Sequence, residues 1–97
     1  MTNVLGFLEQ LEQVIADRRD APTDTSYTTS LLASGLHRIA QKVGEEGVEL
    51  ALAGVGDDRE RIVAETADLL YHVMVLLAAK QLSLADVVAE LERRHRP

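Results

Sequence analysis

Cysteine is absent from the 97 residues, which excludes disulfide staples, a thiolate zinc site and a cysteine nucleophile. Aromatic side chains are scarce: one Phe, two Tyr and no Trp leave the core to Leu, Val, Ile and Ala. Two Pro and six Gly supply few turns, which argues against a many-stranded sandwich or barrel. Positive charge is also short, with 10 Lys and Arg against 16 Asp and Glu. The net charge of −6 makes a nucleic-acid partner a poor fit. A small phosphorylated ligand stays compatible if metal ions bring the positive charge. No apolar run reads as reaching the roughly 20 residues that cross a bilayer. The N-terminus lacks the basic start and apolar stretch of a signal peptide. These absences lead us to expect a complete cytoplasmic protein without a membrane partner, one domain over residues 1–97.

What is present is helical periodicity. Leu5, Leu8, Leu11, Val14 and Ile15 fall on one face of a helix from about Val4 to Arg19, with Thr2 or Asn3 as N-cap. Asp20 to Thr28 holds Pro22 and several Thr and Ser, whose side chains compete with helical hydrogen bonds, and reads as a loop. A short helix over Thr29–Ala33 closes near Gly35. The next runs from about Leu36 to Ala53 and stops at Gly54 and Gly56. Asp57 or Asp58 caps a long helix to about Lys80. Ser83 opens the last, with Asp86 three residues on in a near capping box, and that helix fades in the Arg93–Pro97 tail. The expected fold is all-α, about five helices forming a bundle.

The chemistry lies on the third and fourth helices. At about 100° per residue, Ile39, Val43 and Leu50 mark the core face of the third, and Glu46 sits about 20° from Ile39. The fourth reads Leu-Leu-Tyr-His-Val-Met-Val-Leu-Leu from Leu69 to Leu77, apolar nearly all round, as in a helix surrounded by others. Yet Glu65, Asp68 and His72 line one stripe of it. A buried, unpaired carboxylate is costly, so such groups neutralise or meet cations. Glu46 with Glu49, and Glu65 with Asp68, are pairs at i, i+3 whose side chains point the same way. Facing each other, they make a cage of four carboxylates, suited to hard ions such as Mg²⁺, with Mn²⁺ the next choice.

Other readings compete. A di-iron bundle would want Glu-x-x-His on two helices, and the chain offers just Glu92-x-x-His95 in its basic tail. The acids could instead form a solvated face, with Lys42 pairing with Glu46 or Glu49. That leaves unexplained an acidic stripe on an all-round apolar helix. His72 reads as a hydrogen-bonded core histidine rather than a ligand. Gly44 and Gly47, each about 1 kcal/mol worse than Ala in a helix, suggest close helix contact or backbone approach to a ligand.

The run Arg38-Ile-Ala-Gln-Lys-Val-Gly-Glu-Glu-Gly-Val-Glu49 resembles the signature of the phosphoribosyl-ATP pyrophosphatases, as does Glu65-Thr-Ala-Asp-Leu-Leu-Tyr-His72. The loop Thr25–Thr28 and the stretch Leu11–Arg19 are also similar to that family. The acidic pattern alone belongs to the wider all-α nucleoside triphosphate pyrophosphatases, including MazG-like and dimeric dUTPase proteins. The resemblance implies Mg²⁺-dependent, cytoplasmic hydrolysis of 1-(5-phosphoribosyl)-ATP to 1-(5-phosphoribosyl)-AMP and pyrophosphate, the second step of histidine biosynthesis. It implies metal ligands at Glu46, Glu49, Glu65 and Asp68, with Glu45 completing that set or acting as base. Lys42 and Arg38 would meet phosphate, and Ser26, Tyr27 and Thr28 would touch substrate. The family's cyclohydrolase partner is expected as a separate chain. A house-cleaning nucleotide pyrophosphatase and a non-enzymatic helical dimerisation module are the alternatives.

In one chain of this size the first helix can cover one side of the fourth and the third helix another, which leaves apolar surface for a second copy. Neighbours are expected on its Leu70, Met74 and Leu77 side and on its Leu69, Val73 and Leu76 side. That predicts an obligate homodimer or dimer of dimers, with the fourth helix at the interface and the Asp20–Thr28 loop reaching the partner's acids.

Overall fold

A computed structural model describes residues 3–97, and among them it has five α-helices and no strand. The Asn3 side chain accepts a hydrogen bond from the Leu5 amide at 3.0 Å and starts a 3-10 turn over Val4–Gly6. Thr2, the other candidate cap, lies outside the described residues. Helix α1 follows over Phe7–Asp20, α2 over Tyr27–Ala33, α3 over Leu36–Gly54, α4 over Arg59–Ala79 and α5 over Leu84–His95.

Tyr27 and Thr28, expected in the loop, are the first residues of α2. The physical reason is Ser26. Its hydroxyl accepts from the Thr29 amide at 3.2 Å, so the hydroxyl-rich segment ends in an N-cap two residues earlier than expected. Gly35 at φ 96° separates α2 from α3, a backbone state that glycine adopts at little cost. Asp58 caps α4 through the Arg61 amide at 3.1 Å. The capping box of α5 is complete: the Ser83 hydroxyl accepts from the Asp86 amide, and the Asp86 carboxylate accepts from the Ser83 amide.

The core forms where α1, α2, α3 and α4 meet, from Ile15, Leu31, Ile39, Met74, Val75 and Ala78. Helices α3 and α4 make the most extensive pair. Two polar ties hold α1 to the α4–α5 corner: Arg19 donates to the Ala78 carbonyl near the end of α4 at 3.0 Å, and Glu12 accepts from the Leu84 amide at the start of α5 at 2.7 Å.

Three expectations need correction. Of the expected core face of α3, Ile39 is buried while Val43 and Leu50 are half-buried, and Glu46 and Ala53 are buried beside Ile39. Met74 does not wait for a partner, because the core shared by α1, α2, α3 and α4 already encloses it within the chain, to 3% exposure. The third concerns hydrophobic length. Helix α4 is long and apolar enough, by length and composition, to cross a membrane. Ile62 to Ala79 carry just two charges, Glu65 and Asp68. Scattered polar residues hid this in the sequence, and here the helix packs against α1, α2 and α3.

Candidate metal centre

Side-by-side packing of α3 and α4 brings three carboxylates together. Glu46 and Glu49 of α3 and Glu65 of α4 each place an oxygen within 4.8 Å of the others. Glu46 is buried, Glu65 half-buried and Glu49 exposed. One cation answers this charge directly: Lys42 reaches Glu46 Oε1 at 3.2 Å from one turn earlier in α3. The other oxygen of Glu46 and one oxygen of Glu65 are buried with no hydrogen-bond partner. Leaving a buried acceptor unmet costs about 1–3 kcal/mol, and more for a charged group.

The electrostatics carry the same signature. The Glu49 carboxyl is held above its ordinary value, first by the hydrogen bond that it shares with Glu65 and then by the charge of Glu46. A carboxyl raised by neighbouring carboxylates marks a place short of positive charge. All the donors are oxygen, and hard divalent ions take such donors at about 2.0–2.6 Å. These residues therefore fit Mg²⁺ or Mn²⁺.

The remaining candidates divide. Asp68 is exposed and stands outside the three-carboxylate cluster, while its backbone carbonyl bonds to His72 Nδ1 at 2.7 Å. Glu45 is exposed beside Gln41 at 3.4 Å, with Lys42 and Arg38 each at 3.9 Å, on the rim of the cluster. Ser26 caps α2. Thr28 is buried and shares a short hydrogen bond with the Tyr71 hydroxyl. The Tyr27 hydroxyl meets His72 Nε2 at 3.3 Å. His72 is thus a hydrogen-bonded core histidine, as expected. Glu92 and His95 lie at the end of α5, and Glu92 pairs with Arg96 at 2.9 Å.

Close packing does not require the two glycines. Nothing lies within 4 Å of a Cβ built at Gly44, and one at Gly47 would meet just the end of Leu69 at 4.0 Å. Gly44 opens instead onto a shallow groove with Gln41, Glu45, Val48 and Glu49, beside the carboxylates. Sequence reasoning missed the pairing of Tyr27-Thr28 with Tyr71-His72. The available signal was a hydroxyl-bearing or aromatic dipeptide in each of two quoted segments.

Comparison with known proteins identifies the family. A family described as phosphoribosyl-ATP pyrophosphohydrolase matches residues 8–95. The phosphoribosyl-ATP pyrophosphatase of Pyrobaculum calidifontis is 59% identical over 87 residues, covering 90% of this chain and 93% of that protein. The histidine biosynthesis bifunctional protein HisIE of Photobacterium profundum is 56% identical over 91 residues, and that of Vibrio cholerae 52% over 90. These alignments cover 94% and 93% of this chain, which spans 44% and 43% of the bifunctional relatives. The match runs through all five helices and includes all three clustered carboxylates, so the chain belongs to the phosphoribosyl-ATP pyrophosphohydrolase family.

Proposed function

We propose that the chain hydrolyses the α–β phosphoanhydride of 1-(5-phosphoribosyl)-ATP, giving 1-(5-phosphoribosyl)-AMP and pyrophosphate, in the cytoplasm and as the second step of histidine biosynthesis. The observation that carries this reading is the pair of buried, unpartnered oxygens on Glu46 and Glu65. Glu46, Glu49 and Glu65 would hold Mg²⁺, with Asp68 as a further donor one turn along α4. Mg²⁺ bound there supplies charge neutralisation for phosphate oxygens and lowers the pKa of a bound water.

The chain's own residues do the rest. Lys42 and Arg38 offer positive charge to the phosphates, which a protein of net charge −6 otherwise repels. Glu45, on the rim beside both cations, takes the proton of the attacking water. The water oxygen bonds to the α-phosphorus, the bond to the bridging oxygen breaks, and pyrophosphate leaves. Ser26 and Thr28 support the site through α2, and Tyr27 stands where substrate passes.

A second copy completes the molecule in this reading. Val48 and Leu52 on α3, with Val55 at its C-cap, form an exposed stripe, and Val63 and Leu70 another on α4. A two-fold dimer, or a dimer of dimers, buries both. The decisive assay is pyrophosphate release from phosphoribosyl-ATP with and without Mg²⁺, against dUTP as control. Release that depends on Mg²⁺ and prefers phosphoribosyl-ATP is expected. Equal rates on dUTP, or none on either, would overturn the proposal.

A further inference from the structure

Two consecutive residues at the start of α2 bond two consecutive residues of α4. Tyr27 meets His72 and Thr28 meets Tyr71. The three rings involved also pack together: Tyr71 and His72 lie edge to face at 5.1 Å between centroids, and Tyr27 stands 6.2 Å from Tyr71. Two of the chain's three aromatic residues are thereby gathered one turn beyond Asp68. Core filling alone does not explain this, because Tyr27 is 56% exposed while His72 is 5% exposed.

Hydrogen-bond direction gives the cluster a polarity. The Asp68 carbonyl can only accept, so His72 Nδ1 carries a proton. In the neutral ring, Nε2 is then an acceptor, and the Tyr27 hydroxyl donates to it. The phenol oxygen is then left with lone pairs alone for any further partner. Lys42, by contrast, is bonded to Glu46 in the carboxylate cluster. A phosphate oxygen is itself an acceptor and has nothing to gain from that phenol. A hydroxyl or an amino group does.

We propose that His72 is a positioning residue that holds the Tyr27 hydroxyl in one sense, proton inward and lone pairs outward, so that Tyr27 accepts a hydrogen bond from a hydroxyl or amino group of the nucleotide's sugar or base and leaves the phosphates to Lys42. This rests on the hydrolase reading above and refines it. Tyr27 selects for the nucleoside part of the substrate, and Lys42 for its charge.

The test compares wild type with His72→Asn, His72→Gln and Tyr27→Phe, following phosphoribosyl-AMP formation with added pyrophosphate as a phosphate-only inhibitor. Asn keeps a donor at the Nδ1 position and loses the acceptor at Nε2, whereas Gln restores an acceptor there. His72→Asn and Tyr27→Phe should raise KM about three- to tenfold, the worth of one hydrogen bond, with pyrophosphate inhibition within about twofold of wild type. His72→Gln should recover most of the loss. Nitrogen NMR of His72 should show the proton on Nδ1. An unmoved KM in Tyr27→Phe overturns the proposal, as does pyrophosphate inhibition that weakens in step with KM, or a proton on Nε2. If His72→Asn does not fold, Tyr27→Phe, which deletes one hydroxyl from a residue 56% exposed, decides together with the nitrogen NMR of wild-type His72. A wild type that forms no phosphoribosyl-AMP overturns the hydrolase reading and this one with it. An active wild type with an unmoved KM overturns this one alone.

Discussion

Among the buried residues Glu46 is the single carboxylate, and one of its two oxygens has a partner. Neutralising a buried carboxylate that keeps one unpartnered oxygen, or an exposed one such as Asp68, should not harm the metal-free fold. Glu46→Gln and Asp68→Asn are each expected to abolish Mg²⁺-dependent hydrolysis while circular dichroism stays helical. Glu46→Gln should leave the metal-free protein as stable or about 1 kcal/mol more so, read by urea unfolding in EDTA. Wild-type turnover in either variant would remove that residue from the site. Glu49 adds a pH dependence. Its carboxyl is raised in the folded state above the ordinary 4.5, so the folded chain binds the proton more tightly than the unfolded one. The Glu49 contribution is therefore fully present below that value and is lost as pH rises through the folded value. In EDTA, melting temperature should fall as pH rises from the ordinary carboxylate range. Mg²⁺ should flatten that slope, and Glu49→Gln should remove it. Glu46 was legible because it shares a stripe with Ile39. The exposed position of Asp68 was not, because the i, i+3 rule fixes a shared face of α4 and not which side chains turn toward α3.

Helix ends show most plainly what sequence pattern can and cannot reveal. Ser83 with Asp86, and Asp58 before Arg59, were readable because capping is local chemistry over three or four residues. The start of α2 was misplaced by two residues because four hydroxyl-bearing residues compete for the cap. Ser26 takes it while Thr28 is drawn to Tyr71 on another helix. The turn after α4 was equally hidden. Gln81 sits at φ 58°, and its amide and that of Leu82 return to the Ala78 and Leu77 carbonyls at 3.0 and 2.8 Å. This is the closing motif that glycine usually serves, here built on a residue that pays steric strain for it. Gln81→Gly should stabilise the chain by about 0.5–1 kcal/mol, a rise in melting temperature of roughly 2–8 °C. An unchanged or lower melting temperature would mean that the Gln81 side chain contributes more than its backbone costs.

At the scale of the whole molecule, α4 was correctly expected to be central, but the sequence assigned too much of its surface to a second copy. Periodicity shows that Leu70, Met74 and Leu77 share a side. It cannot show that Met74 is already buried in the core that α1, α2, α3 and α4 share. The two substitutions that sequence reasoning would treat alike should therefore differ. Leu70→Glu, at a position 36% exposed, should halve the sedimenting mass at low micromolar concentration and leave a helical chain. Met74→Glu, which buries a charge in the core, should cost about 3 kcal/mol or more and unfold it. Equal outcomes, or a wild type that sediments as a folded, active monomer, would refute the proposed interface. The α3–α4 hairpin has one more consequence, for folding speed. Its two helices follow each other across a turn of a few residues, so they can pair early, before α1 and α2 seal the core. Pairing them brings Glu46, Glu49 and Glu65 together while the chain is still largely unfolded. Without a divalent ion, mutual repulsion then falls on the folding barrier itself. Mg²⁺ should accordingly quicken refolding in stopped-flow measurements, as well as slow unfolding.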